Sequence, residues 1–90
     1  MKNALSAQIY GRVQGVGFRY AALAEAQRLG LTGWVRNNPD DSVEVWAEGE
    51  DAPLAEFLRW LNRGPRFAAV ETVNSCRQPA TSRHSIFTIA

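Results

Sequence analysis

Three glycines and an arginine near the start of the chain have the types and spacing that suit anion binding. The stretch GRVQGVGFRY runs from Gly11 to Tyr20, with further glycines at Gly15 and Gly17 and a guanidinium at Arg19. Glycine lets backbone N–H groups approach a ligand closely, and successive N–H groups at a helix start form a concave site for an oxyanion. Arg19 adds a planar fork of donors that matches phosphate. The stretch predicts an anion site, although a tight turn between two elements would use the same glycines.

A second polar cluster, NNPDD at residues 37–41, could hold a water molecule near such an anion. The same composition is typical of an ordinary polar hairpin turn. The amide of Asn37 can both donate and accept hydrogen bonds, so it can orient a water molecule. It cannot act as a general base, because an amide does not take up a proton near neutral pH. Any role of Asn37 in catalysis would therefore be one of positioning.

The hydrophobic periodicity predicts the elements that must position these residues. Residues 5–11 alternate in polarity like a half-buried strand, and a stripe with spacings of 4, 4 and 3 begins at Phe18 like one face of a helix. A second such helix follows the polar hairpin, with Asp51 as its expected N-cap and Gly64 at its end. The predicted strands are residues 5–11, 32–37, 42–48, 69–77 and 85–89.

The order β-α-β-β-α-β, followed by a short final strand, is typical of the α+β ferredoxin-like sandwich. In that fold two helices pack on one face of a mostly antiparallel sheet. The first two strands run parallel with the third between them, so the loop after the first strand and the end of the second lie at one sheet edge, roughly 10 Å apart. Those two ends carry Arg19 and Asn37, and a small ligand could lie between them.

Length and composition narrow the class of protein. Ninety residues suffice for one domain, predicted over 1–90, and a net charge of +1 lacks the basic excess of a nucleic-acid-binding surface. No apolar run approaches the roughly 18 residues that cross a membrane, and the single cysteine, Cys76, excludes an internal disulfide. The glycine loop lacks the Lys-Ser/Thr pair of a P-loop, so nucleotide and magnesium are not implied. We expect a cytoplasmic monomer that uses no metal or cofactor and binds neither nucleic acid nor membrane.

The segments GRVQGVGFR and GWVRNNPDDSVEV together resemble the paired signature of the acylphosphatases. The similarity extends to AEGEDAPLAEFLRWLNRGP and to the closing IFTIA, so it covers nearly the whole chain. The resemblance implies a hydrolase that cleaves acyl phosphates, which are carboxyl–phosphate anhydrides, to carboxylate and inorganic phosphate without a metal. It also implies that Arg19 binds the phosphate, that Asn37 orients the attacking water, and that a loop holds the phosphoryl oxygens through its N–H groups. That loop consists of Gln14, Gly15, Val16, Gly17 and Phe18.

The hairpin departs from the family pattern at one position. Many relatives have Asp-Gly where this chain has Asp40 and Asp41. Glycine supplies a positive φ angle there, so we expect Asp41 to adopt the same turn at a cost of roughly 1 kcal/mol. Two carboxylates near a phosphate site could also weaken substrate binding by repulsion.

A binding module is the main alternative to an enzyme. Ferredoxin-like sheets can bind RNA by stacking bases on aromatic side chains of the open sheet face. Tyr10 and Trp46 are expected on that face. Glu44 and Glu48 lie two residues before and after Trp46, on the same face of the predicted strand, and would repel a phosphate backbone. The sequence therefore disfavours RNA binding.

Two further alternatives keep the anion site but change its use. Acylphosphatase-like domains also begin larger hydrogenase-maturation proteins that process carbamoyl phosphate, whereas we expect a free-standing enzyme here. A domain that binds phosphate without hydrolysing it is disfavoured by the presence of both Arg19 and Asn37.

Of the remaining side chains, Trp34 and Trp60 are expected in or beside the core. Arg12 and Arg36 are expected to be solvated, although both flank the site and could steer an anion.

Overall fold

A computed structural model describes residues 1–90 and confirms the predicted order of elements. The elements are β1 (Lys2–Arg12), α1 (Phe18–Arg28), β2 (Thr32–Asn37), β3 (Val43–Glu50), α2 (Asp51–Arg63), β4 (Ala69–Pro79) and β5 (Phe87–Ile89). The bounds of β2 are those predicted. β1 is longer than predicted at both ends, and β3 and β4 end two residues later than predicted. β5 begins later than predicted, at Phe87.

The five strands form one sheet in the order β4-β1-β3-β2-β5. β1 pairs antiparallel with β3 and β4, and β3 pairs antiparallel with β2. Among neighbouring strands, only β2 and β5 pair in parallel. β3 thus separates β1 from β2, as the sequence predicts, and the loop after β1 lies at the same sheet edge as the end of β2.

The hydrophobic core fills the space between one face of the sheet and the two helices. Strands contribute alternate residues and helices contribute stripes spaced by three or four, because these are the periods of the two structures. The core side chains of the first three strands are Leu5, Ala7, Ile9, Val35, Val43, Val45 and Ala47. Those of the helices are Phe18, Ala22, Ala26, Leu54, Phe57 and Leu61. Neither helix combines the length and the apolar character needed to cross a membrane.

The start of α2 differs from the prediction. Asp51 is the first helical residue, and Glu50, in extended conformation, takes the N-cap position without a side-chain cap hydrogen bond. The Asp51 carboxylate instead accepts hydrogen bonds from the side chains of Asn3 at 2.7 Å and Arg77 at 3.2 Å. The prediction of an Asp51 cap is wrong because β3 passes into α2 without a loop, which moves the cap one residue earlier.

The open face of the sheet carries two tryptophans, Trp34 and Trp46, directly opposite each other on β2 and β3. The prediction that Trp34 packs in or beside the core is wrong. Val35 takes the inward position on β2, so the side chain of Trp34 points to the other face. Trp60 does pack beside the core, with its ring centroid 5.5 Å from that of Phe18.

Arg36 belongs to the open face as well, directly before Asn37 on β2. Its guanidinium lies 4.8 Å from the ring centroid of Trp34 and forms an ion pair with Glu44 at 2.9 Å. Tyr10 is on this face as predicted, and its hydroxyl donates to Gln8. The expected anion-steering role of Arg36 is therefore not supported by its position.

One carboxylate on this face, that of Glu48, is buried to 3% exposure by the connector between β4 and β5. The connector supplies hydrogen bonds from the N–H and hydroxyl of Thr81, at 2.9 and 2.6 Å, and from the N–H of Ser82 at 2.9 Å. Trp46 Nε1 donates a further one at 2.7 Å. Burial raises the pKa of Glu48, but these hydrogen bonds outweigh burial and hold the pKa at about 2. Glu48 is thus an internal anchor for the connector.

Candidate active site

Five of the seven predicted site residues line one cavity at an edge of the sheet, and Gln14 and Val16 do not. Arg19 comes from the first turn of α1 and Asn37 from the last position of β2. Together they line a cavity of about 90 Å³. Larger surface hollows lie beside Glu48 and between α1 and α2, but neither contains Arg19 or Asn37. The candidate site is therefore chosen for the chemistry of its lining residues and not for its size. The lining residues of the site cavity are Val13, Gly15, Gly17, Phe18, Arg19, Tyr20 and Asn37.

The loop between β1 and α1 presents backbone donors that the chain does not use. Gly15 and Gly17 have φ angles of 74° and 79°, a conformation that residues with a side chain rarely adopt. The backbone N–H groups of residues 14–20 donate no hydrogen bond within the chain. Gly17 is the N-cap of α1 and offers no side-chain cap, so the positive end of the helix dipole is uncovered. These are the features of a backbone anion site.

The guanidinium of Arg19 is available to a ligand. The side chain is half-buried beside the cavity. The ion pairs of the chain all involve other residues. Because a guanidinium carries five N–H donors in a fixed plane, Arg19 can bind two oxygens of one anion while the loop N–H groups bind others.

Asn37 supplies a hydrogen-bond acceptor that also has no partner. Its Oδ1 is the one buried side-chain nitrogen or oxygen of the chain without a hydrogen bond. An unmet buried acceptor costs about 1–3 kcal/mol. A water molecule donating to Oδ1 would satisfy it.

The side chain of Gln14 has a role that the sequence does not predict. Its Nε2 donates to the main-chain oxygens of Asn38 at 2.8 Å and Ser42 at 2.9 Å. These hydrogen bonds join the loop after β1 to the hairpin after Asn37. Gln14 is therefore a brace between the two halves of the site, and the expected contact of its backbone N–H with phosphate stays a prediction.

The hairpin between β2 and β3 is closed by its own polar side chains. Ser42 is buried, and its hydroxyl and N–H donate to Asp40 Oδ1 at 2.5 and 3.0 Å. These two hydrogen bonds lower the pKa of the Asp40 carboxyl. Asp41 has a φ of 72°, so the expected left-handed turn is present. Asp40 and Asp41 are thus part of the turn. The chain has no cluster of three His, Cys, Asp or Glu side chains that could hold a metal ion.

The sequence analysis missed two lining residues, the core residue Val13 and the exposed Tyr20. Tyr20 follows Arg19 directly on α1, and its side chain is 71% exposed. The available signal was its position outside the buried stripe of Phe18, Ala22 and Ala26. A large aromatic on the polar side of a helix, next to a candidate anion-binding arginine, has no explanation in core packing.

Comparison with known proteins identifies the family. The sequence model of the acylphosphatase family matches residues 5–89. An acylphosphatase from Nocardioides sp. is 51% identical over 74 residues, which are 82% of this chain and 75% of that protein. The crystal structure of an acylphosphatase from Bacillus subtilis matches with a TM-score of 0.94 at 36% identity, over 100% of this chain and 99% of that one.

A larger protein contains a similar fold. The crystal structure of full-length HypF matches with a TM-score of 0.91 at 27% identity, and this chain covers 12% of that protein. The relatives named acylphosphatase are more similar in sequence and in length. Because the family match spans nearly the whole chain and about half of the aligned residues are shared with a curated relative, this chain belongs to the acylphosphatase family of hydrolases.

Proposed function

We propose that this enzyme hydrolyses acyl phosphates in the cavity between Arg19 and Asn37, by a mechanism that needs no metal. The observation that carries the proposal is that three parts of the chain with unused polar groups line one cavity of about 90 Å³. They are Arg19 with its guanidinium, the glycine loop with its N–H groups, and Asn37 with its amide oxygen. The first two suit a phosphoryl group, and the third suits a water molecule.

The phosphoryl group would be bound by Arg19 and by the N–H groups of the loop from Gln14 to Phe18. Phosphoryl transfer passes through a loose transition state with charge on the equatorial oxygens. Donors that are already oriented stabilise this charge without reorganising during the reaction. Glycines that hold the loop in a left-handed conformation keep those donors in place.

The attacking water would donate a hydrogen bond to Asn37 Oδ1. Its oxygen forms a bond to phosphorus while the bond from phosphorus to the acyl oxygen breaks, and the carboxylate leaves with the electron pair. The water proton passes to the phosphate oxygens or to solvent, because the amide of Asn37 cannot accept it. A carboxylate is a good leaving group, so orientation and charge stabilisation suffice.

The test is hydrolysis of benzoyl phosphate in the presence of EDTA by wild type, Arg19→Ala and Asn37→Ala. We expect wild-type turnover to persist with EDTA and each substitution to lower kcat/KM by roughly 10²–10³-fold. Arg36→Ala and Asn74→Ala are matched controls, since neither residue lines the cavity. Circular dichroism establishes that all variants are folded.

Two results would contradict the proposal. Loss of turnover with EDTA, restored by a divalent cation, would show that a metal is needed. A folded wild type that binds inorganic phosphate without cleaving benzoyl phosphate would leave only the phosphate-binding function. Carbamoyl phosphate, assayed in parallel, tests the alternative substrate suggested by the sequence.

We also propose that the working unit is one domain of 90 residues acting as a monomer. All the groups assigned to the reaction come from a single chain. Light scattering after gel filtration should give a mass near 10.0 kDa. A stable dimer at assay concentrations would contradict this.

A further inference from the structure

We infer that the ring of Tyr20 binds the acyl group of the substrate and makes the enzyme prefer acyl phosphates with an aromatic or other large apolar acyl group. The inference rests on the proposed function, since it assigns the acyl side of the same site. It makes Tyr20 a specificity-determining residue and gives it no part in the chemical step.

The lining of the cavity assigns most of it to the phosphoryl side of the substrate. The cavity has a volume of about 90 Å³, and Arg19, the two glycines and Asn37 supply its polar lining. In the proposed function these groups hold the phosphoryl group and its attacking water. The acyl group must therefore leave the cavity over its rim, and the side chains at the rim are those that can distinguish one acyl group from another.

Tyr20 presents the apolar surface of that rim. Three of the lining side chains are apolar, but Val13 and Phe18 are each 1% exposed and belong to the core. Tyr20 is 71% exposed, so its ring is the one large apolar surface at the cavity that a ligand can cover. The other lining residues are two glycines, Arg19 and Asn37, which suit the phosphoryl group and the water.

Tyr20 lines the same cavity as Arg19 and Asn37. It lies in the first turn of α1, one residue after Arg19, so the ring and the guanidinium leave adjacent backbone positions. No hydrogen bond within the chain involves its hydroxyl, so the exposed position is not explained by a polar contact. Contact between aromatic rings adds to simple burial and corresponds to roughly 3- to 10-fold in binding.

An exposed aromatic residue is not by itself evidence of a site, because folded proteins expose much apolar surface. Phe67 shows the difference. It is also 71% exposed, but it lies in the loop before β4 beside Arg66 and does not line the cavity. What distinguishes Tyr20 is its position at the rim, and Phe67 gives a control of equal exposure.

The test compares kcat/KM for benzoyl phosphate and for acetyl phosphate, whose acyl group is too small to cover the ring. We expect Tyr20→Ala to lower the benzoyl-to-acetyl ratio by roughly 3- to 10-fold, mainly through KM for benzoyl phosphate. Tyr20→Phe keeps the ring and should keep the wild-type ratio, as should Phe67→Ala. Alanine is the best helix former, so the substitution on α1 leaves the fold intact.

The outcomes separate this inference from the proposed function. If wild type cleaves both substrates and Tyr20→Ala leaves their ratio unchanged, the inference is overturned and the proposed function stands. The same holds if Tyr20→Ala weakens inhibition by inorganic phosphate as strongly as it weakens benzoyl phosphate turnover, because the ring would then act on the phosphoryl side. A folded wild type that cleaves neither substrate overturns both.

Discussion

At the residue scale, the site is distinguished by polar groups that have no partner within the chain. Elsewhere polar side chains satisfy one another, as Ser42 and Asp40 do in the hairpin. At the cavity, Asn37 Oδ1 and the N–H groups of the glycine loop do not. Leaving the buried Asn37 Oδ1 unpaired costs stability, whereas Gly15 and Gly17 are exposed to solvent. The fold tolerates that cost at one edge of the sheet, which is where the proposed function needs donors and an acceptor.

Asp41 carries a conformational cost that substitution can remove. Its φ of 72° favours glycine, and its side chain makes no hydrogen bond that would be lost. We expect Asp41→Gly to raise the free energy of unfolding by about 1 kcal/mol and to retain hydrolysis of benzoyl phosphate. Urea unfolding measures the stability change.

The matched variant is Asp41→Ala, which keeps the strained φ but loses the tolerance that aspartate has for the left-handed region. It should be less stable than wild type. A lower free energy of unfolding in Asp41→Gly would show that the aspartate side chain stabilises the hairpin by more than the strained φ costs.

At the element scale, the two segments that form the site are held together by Gln14. The loop after β1 and the hairpin after β2 are separated by β3 in the sheet, so their relative position depends on contacts that cross between them. The hydrogen bonds of Gln14 Nε2 to Asn38 and Ser42 are such contacts. The distance between Arg19 and Asn37 therefore depends on the side chain of Gln14.

Removing this brace should affect activity more than an ordinary surface substitution does. We expect Gln14→Ala to lower the free energy of unfolding by about 1–2 kcal/mol, because two hydrogen bonds between the loop and the hairpin are lost, although each carbonyl keeps a backbone donor. We also expect kcat for benzoyl phosphate to fall by roughly 10-fold or more, because small displacements of positioned groups are costly. Gln78→Ala, an exposed glutamine on β4, is the control. Unchanged kcat in folded Gln14→Ala would contradict the role as a brace.

Glu48 anchors the connector to β5 and makes the stability of the fold depend on pH. Its folded-state pKa of about 2 lies below the ordinary value of 4.5, so the stabilisation is present above pH 4.5 and is lost as pH falls toward 2. The shift corresponds to at most about 3 kcal/mol. Glu48→Gln should lower stability at neutral pH and flatten its dependence on pH between 4.5 and 2.

Urea unfolding at a series of pH values measures this dependence. Glu71→Gln is the matched control, because Glu71 is exposed on β4 and forms no ion pair. An identical pH profile for wild type and Glu48→Gln would show that the hydrogen bonds from the connector do not stabilise the ionised carboxylate.

The elements could be predicted from the sequence, but several contacts between them could not. Alternation and helical stripes are local signals, and they locate each strand and helix within a few residues. Trp34 and Val35 are adjacent and both apolar, so the pattern alone does not decide which faces the core. The brace at Gln14 and the burial of Glu48 join residues 24 or more positions apart, and no local signal reports them. The pairing of Arg19 with Asn37 was predictable because topology alone brings their elements together.

At the scale of the whole molecule, the proposed chemistry lies at one edge of the sheet, whereas the aromatic residues of the open face serve the fold. Trp34 is covered by the guanidinium of Arg36, which is paired with Glu44. Trp46 donates its indole N–H to Glu48. An RNA-binding sheet instead offers free aromatic faces within a basic surface. The two faces of this sheet and its active edge therefore have separate roles.

This separation predicts that the protein does not bind single-stranded RNA. A net charge of +1 provides little attraction for a phosphate backbone, and the Glu44 carboxylate lies beside the tryptophan pair. We expect tryptophan fluorescence to stay unchanged when an RNA oligonucleotide is added at physiological ionic strength. Inorganic phosphate should still inhibit hydrolysis under the same conditions, because its site lies at the edge and not on the open face. Saturable, salt-dependent quenching that Trp46→Ala abolishes would contradict this prediction and make the open face a second functional surface.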